Sequence, residues 1–242
     1  LRQFKPGAQL INAARGACVV AADLAEAIRN EFKDFTGEHP DLSLSGGITL
    51  EGAKFPLYRA AERAGEAEGQ AKGYTRPDGR RKDALCFLGT VVGWEDWELV
   101  RKQKDNLLWL IGEDDENRAR KEDERERRLP RAVLQVVQSI YHLYRTGLRD
   151  ARRRVRRENR KRPPDKKLPL PRSQMFYGRW AWMQAYSLVR LARRSRDDEV
   201  KARIMGLQKA LMRAATVRYS GLAARWAEYL TRREEKSKKS TG

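Results

Sequence analysis

The ten residues Asp41-Leu-Ser-Leu-Ser-Gly-Gly-Ile-Thr-Leu50 decide how the first part of this chain folds. Leu42, Leu44, Ile48 and Leu50 all take even positions, so an extended backbone turns them to one side and the spacing predicts a strand against a core. Upstream, Val20, Leu24, Ile28 and Phe32 recur every fourth residue and predict a helix over about 19–35 with those four on one face. Downstream, Pro56 suits the first turn of a helix. Its face of Leu57, Ala60, Ala61, Ala64, Ala67 and Ala71 is small enough to press closely on a sheet, and Gly73 is its stop. The turn-rich segment 73–82 leads into an apolar run from Ala84 to Val92, which predicts one buried strand ending at Gly93. Trp94, Trp97, Val100, Leu107, Leu108 and Ile111 mark a further helix. Helix, strand, helix, strand is the order of an α/β or α+β layer.

The pattern changes at Glu113. From there to Arg128 both signs of charge alternate with almost no apolar content, which predicts a solvated helix or linker over 113–130 that ends at Pro130. Val133, Val137, Ile140, Tyr141, Tyr144 and Leu148 restore a helical stripe running into Arg152-Arg-Arg-Val-Arg-Arg157. The prolines of 161–172 forbid a continuous helix there. Helices are predicted at about 174–193, 197–216 and 219–234, followed by a frayed tail over 235–242. The fold class is therefore α+β. A mixed unit spans 1–112, a charged connection 113–130 and a basic helical unit 131–242.

Charge follows the same division. The 242 residues carry a formal +19 and a pI near 10.3, with 40% hydrophobic residues, enough for one sizeable core or two modest ones. Residues 1–100 sum to −2 and residues 101–242 to +21. No apolar run nears the roughly 18–20 residues of a membrane span and no signal-peptide pattern opens the chain, so it is expected to be soluble and cytoplasmic, without a membrane partner. Cys18 and Cys86 stand alone in apolar surroundings and predict core positions rather than a disulfide or zinc site. The chain opens on Leu1 without an initiator methionine, as expected of a piece of a longer protein.

No nucleophile and base stand at a spacing that local structure would bring together. His39 before Pro40 reads as a loop residue and His142 lies in a helical stripe, so no catalytic residue is assigned. The carboxylates between Glu113 and Glu126 could take a divalent ion, but interleaved Arg and Lys satisfy them more simply, and no metal site is assigned. The dense positive run is different, because like charges repel unless a polyanion lies nearby. Arg152, Arg153, Arg154, Arg156, Arg157, Arg160 and Lys161 are the candidate contacts to a phosphate backbone, with a disordered basic loop that binds nothing in particular as the alternative. Tyr177, Trp180 and Trp182 could offer stacking surfaces; their helical spacing also fits core packing, the commoner case.

Four strings in order carry a resemblance: Leu24-Ala-Glu-Ala-Ile-Arg-Asn-Glu-Phe32, Pro40-Asp-Leu-Ser-Leu-Ser-Gly-Gly-Ile48, Lys54-Phe-Pro-Leu-Tyr-Arg-Ala-Ala-Glu62 continuing to Ala71-Lys72, and Lys82-Asp-Ala-Leu-Cys-Phe-Leu-Gly89 followed by Trp94-Glu95. Over about 16–112 the chain resembles the second palm domain of the large subunit of type III CRISPR–Cas effector complexes, the Cas-ten family, in its Csm-type form. The helical remainder, ending in Ala223-Ala-Arg-Trp-Ala-Glu-Tyr-Leu-Thr-Arg232, looks like that family's C-terminal helical domain.

The resemblance implies a partial ferredoxin-like palm, related to polymerases and nucleotide cyclases and seen here from its third strand onward. It implies crRNA and target RNA as partners, together with a small helical subunit and repeat-fold backbone subunits. In active relatives a Gly-Gly-Asp-Asp hairpin binds Mg or Mn and makes cyclic oligoadenylate from ATP. At the matching place, Gly7 to Arg15, this chain reads Gly-Ala-Gln-Leu-Ile-Asn-Ala-Ala-Arg, with no carboxylate and a poor strand pattern. Either the acidic motif is lost, or two segments of a longer chain are joined there, and the poor strand pattern favours the join. An HD-type nuclease, an earlier palm and a zinc-binding region, which the family carries upstream, are not found in these residues. The surviving positions with a phosphate-binding logic are Ser45, Gly46 and Lys72. Outside the resemblance stand two alternatives: a stand-alone basic RNA-binding protein, or a nucleotide-cyclase fragment unconnected with CRISPR.

Overall fold

The computed structural model describes residues 6–52, 54–76, 79–120, 128–172 and 176–231, with side chains described from residue 20 onward. Pro6 stands where its missing N–H costs nothing and Ala8, Ala13, Ala14 and Ala17 favour helix, so the backbone forms one helix, α1, over Pro6–Phe35. The helix expected from about residue 19 thus starts at Pro6, and the segment 7–15, where the resemblance places a strand, is helical. The expected stripe does not face a core: Val20, Leu24 and Ile28 are all exposed. The covered side carries Ala22, fully buried, and Arg29, whose guanidinium lies 5.2 Å from the Trp94 ring centroid. The core position expected for Cys18 lies outside the described side chains.

Three strands follow: β1 at Gly46–Ile48, β2 at Ala84–Phe87 and β3 at Thr90–Gly93, with helix α2, Leu57–Lys72, between the first two. The sheet order is β1-β2-β3. β1 runs parallel to β2 with Gly46 opposite Leu85, and β2 runs antiparallel to β3 with Cys86 opposite Val91. The strand expected over 41–50 is much shorter, and Leu42 is exposed. Side-chain bonds end its ladder: Trp94 Nε1 donates to the Leu44 carbonyl at 2.9 Å, and the Ala84 amide donates to Ser45 Oγ at 3.4 Å. The single strand expected from Ala84 to Val92 is a hairpin. Leu88 and Gly89 turn it with φ of 48° and 72°, both left-handed, as a two-residue hairpin loop requires.

Helix α2 covers the sheet through its C-terminal half. Ala67 and Ala71 are buried with Tyr74, Ala84 and Cys86, while Leu57 and Ala61, expected on the same face, are exposed. Cys86 is buried as its sequence context predicts, and desolvation pushes its thiol pKa up. Phe87, Trp94 and Trp97 complete this core in edge-to-face contacts at 5.7 and 5.9 Å.

The chain divides into two units, residues 1–97 with 228–242 and residues 98–227. Helix α3, Trp94–Leu110, runs from the first into the second, whose described residues continue through α4 at Asp115–Ala119, α5 at Ala132–Asn159, a 3-10 turn at Pro164–Lys166, α6 at Arg179–Arg194, α7 at Asp198–Leu211 and α8 at Ala214–Leu230. Helix α6 buries Trp180, Gln184, Leu188 and Ala192 between α5 and α7. Asp197 caps α7 by accepting from the Glu199 and Val200 amides at 2.8 and 3.2 Å. The helix expected over 197–216 stops at Leu211, and the next begins at Ala214. The tail 235–242 and the last turn expected to 234 lie outside the described residues.

The segment expected to be solvated is anchored where it is described. Asn117 is fully buried and donates to the Gly112 carbonyl at 2.7 Å, and Asp114 caps α4 through the Asn117 amide at 3.1 Å. Arg128 meets Asp114 at 2.8 Å and lies 3.8 Å from the Trp109 ring centroid. Arg203 lies 3.8 Å from the same centroid, so Trp109 is held between two guanidiniums. Residues 121–127 of that segment lie outside the described residues. No described helix is long and apolar enough to cross a membrane.

Candidate nucleic-acid interface

Helix α5 buries Val133, Leu134, Val137, Ile140, Tyr144 and Leu148, and its basic residues lie beyond that stripe. Residues four and seven apart share a helix face. Tyr141, Arg145, Arg149, Arg152 or Arg153, and Arg156 therefore form one continuous row. They line a groove of about 620 Å³ with Tyr144 and Leu148, and Arg218 of α8 closes its other side. Gly221 of α8 makes the approach possible: its Cα faces the Tyr141 ring with no room for a side chain.

Of the seven candidate contacts, Arg152, Arg153 and Arg156 line the groove; Arg154, Arg157, Arg160 and Lys161 do not. Arg154 and Arg157 are turned away by about 140° and 80° from the Arg149 direction at 100° per residue. Arg160 follows the last helical residue, Asn159, as the cap. The contiguous run thus divides between two faces. Arg145, Arg149 and Arg218 were missed because they stand outside the run, although the four-residue spacing Tyr141, Arg145, Arg149, Arg153 was available.

Charge in the groove is little compensated. Arg149 meets Asp150 at 3.8 Å, whereas among the described residues Arg145, Arg153, Arg156 and Arg218 form no salt bridge. Arg152 is spent differently: its Nε donates to the Pro171 carbonyl at 3.0 Å. The same proline-rich strap is held by Asn159, whose Nδ2 donates to the Leu168 carbonyl and whose Oδ1 accepts from the Leu168 amide, both at 2.8 Å. The aromatic candidates separate. Trp180 is buried, edge-to-face on Tyr144 at 5.5 Å, whereas Tyr177 and Trp182 are exposed.

In the first unit, Ser45, Gly46 and Lys72 line neither the groove nor the cleft described next. The Ser45 hydroxyl is engaged with Ala84, Gly46 pairs with Leu85 in the sheet, and Lys72 closes an ion pair with Glu68 at 2.8 Å. A cleft of about 190 Å³ opens in this unit, lined by Arg29, Lys33, Ser43, Arg76 and Asp83 among others. Arg29 and Arg76 approach Asp83 at 4.0 and 3.7 Å, and each keeps a buried Nε without a hydrogen-bond partner. Desolvation lowers the Arg29 pKa against the opposing pull of Asp83 and Glu26.

His39 accepts from the Asp41 amide at 3.3 Å, and His142 is exposed. Among the described residues no set of side chains fits the divalent ions that the resemblance implies. The sequence from Gly7 to Arg15 carries no carboxylate, and no group of three or more His, Cys, Asp or Glu among the described residues could hold a metal.

Residues 14–86 match the family model described as Cas10/Cmr2, second palm domain. The match bears out the resemblance read from the strings between Leu24 and Cys86, and it ends before the close of the last string, before β3 and before the helical unit. Comparisons with curated proteins and with solved structures give no match.

Proposed function

We propose that this chain, whose residues 14–86 match the second palm domain of Cas10/Cmr2, is a palm and helical portion of the large subunit of a type III CRISPR effector complex, and that the α5 groove is its contact with RNA phosphates. The α+β unit supplies the palm: the β1-α2-β2 crossover and the β2-β3 hairpin support a mixed sheet with a helix on it, and the ferredoxin-like arrangement that the resemblance implies belongs to this reading. The crRNA and target RNA are the partners, together with the small helical and repeat-fold backbone subunits. The observation that carries the RNA assignment is the row Arg145, Arg149, Arg153 and Arg156 facing Arg218 across an open groove, which gathers more positive charge than its neighbours neutralise. Guanidiniums recognise phosphate oxygens through paired donors and release counterions on binding, which gives affinity without reading bases. Cyclic oligoadenylate synthesis is not assigned to these residues, because the metal-holding carboxylates are not among them.

The test is the salt dependence of RNA affinity. The variant R145Q/R149Q/R153Q/R156Q should bind RNA more weakly and lower the slope of log K against log salt by roughly 0.7–0.9 per lost phosphate contact. R154Q/R157Q, on the other face, should change the slope less. Equal slopes for both variants and the parent would remove the groove from the RNA path.

A further inference from the structure

Helix α6 shows a second face that the groove does not use. Its buried side is Trp180, Gln184, Leu188 and Ala192. On the opposite side Arg179, Trp182, Tyr186, Arg190 and Arg193 recur at intervals of three and four and fall within about 40° of one direction. Trp182 and Tyr186 are 56% and 57% exposed, a large apolar area to leave in water. Their ring centroids are 6.3 Å apart, and Arg190 donates to the Tyr186 hydroxyl at 3.4 Å, so rings and guanidinium form a continuous row. The row is about 21 Å long at 1.5 Å per residue. Helix α6, from Arg179 to Arg194, contains no acidic residue.

We propose that this row is a stacking site for the unpaired bases of a single-stranded nucleic acid, with Trp182 and Tyr186 taking bases and the flanking arginines taking phosphates. Every base has a π-face, so a ring platform accepts any sequence, while a duplex keeps its bases stacked on one another and offers no such face. Positive charge at both ends of an aromatic centre, with no carboxylate on the helix, complements a polyanion that carries flat rings. An acidic protein partner would need the charge but not two exposed rings in line. The site is independent of the palm and of the groove, so each can fail alone.

The experiment uses the full chain and four probes: fluorescein-labelled dT15 and rU15, a 15-base-pair RNA duplex, and inorganic polyphosphate, which has charge but no bases. The variant W182A/Y186A should bind dT15 and rU15 roughly 10- to 100-fold more weakly. Its affinity for polyphosphate and for the duplex should not change. W182F/Y186F keeps two π-faces and should restore most of the single-strand affinity. Groove variants, by contrast, should weaken polyphosphate as well. A second readout needs no loss of affinity: dT15 should quench tryptophan fluorescence in the parent more than in W182F. Unchanged single-strand affinity in W182A/Y186A, the result expected of a protein-docking face, overturns the proposal. So does an equal loss on polyphosphate, or equal quenching in parent and W182F.

Discussion

Gly47 sits in β1 under α2, where an added methyl group would lie 2.7 Å from the Cβ of Ala67 and against the Glu68 backbone. Backbone cannot yield as a flexible side chain can. Gly47→Ala should therefore cost about 1–3 kcal/mol of stability, read as a lower midpoint in urea, whereas Gly46→Ala meets only Leu85 Cδ1 at 3.6 Å and should cost less. The opposite ranking would mean that α2 does not press on β1 as described. The sequence shows two adjacent glycines, and the resemblance assigns Gly46 a phosphate-binding position. Gly47 makes a close approach of another kind, to the chain's own helix, and only the crossover geometry reveals it. Cys86 was legible because a lone cysteine in an apolar run nearly always packs; the exposure of Val20, Leu24 and Ile28 was not, because periodicity gives a helix face without saying what covers it.

At the scale of elements, what the sequence hid is mostly turns and caps. A leucine at the first position of a left-handed two-residue loop is unusual, so the hairpin at Leu88-Gly89 read as continuous strand. The charged stretch after Glu113 read as solvated, yet Asn117 and Arg128 fasten part of it through a carbonyl and a ring that pattern alone cannot locate. Asn159 does the same for the strap over 161–172. Its amide imitates a peptide group toward Leu168, and Asn159→Ala removes both bonds at once. Limited trypsin digestion followed by mass spectrometry should then show faster cleavage after Lys166 and Lys167, which are exposed already and need only mobility to fit a protease. Unchanged cleavage rates would mean that Arg152, through Pro171, suffices to hold the strap.

For the whole molecule, charge is the property whose placement depends most on folding. The +21 of residues 101–242 predicts a polyanion partner but not where it lies, since a helix distributes a contiguous run over its circumference. Folding selects Arg152, Arg153 and Arg156 from that run and adds Arg145, Arg149 and Arg218. If the proposed function holds, the chain expressed with the other subunits of a type III effector complex should co-purify with RNA, and RNase treatment at low salt should reduce the recovered complex. Expressed alone, it should carry a high ultraviolet absorbance ratio that falls in high salt. A chain that runs as a clean, nucleic-acid-free monomer at low salt in both settings would favour a role without RNA. The palm resemblance was legible because four short strings kept their order.

The strap beside the groove has a kinetic consequence. Prolines at 163, 164, 169 and 171 and the Asn159 clasp fix its shape before any ligand arrives, so little chain entropy remains to be lost on binding. Capture should then proceed at a rate set by long-range attraction, fast in dilute salt and slower as ions screen it. A floppy strap would instead add a slow ordering phase whose rate does not depend on RNA concentration, and stopped-flow mixing of Asn159→Ala with labelled RNA is where that phase should emerge.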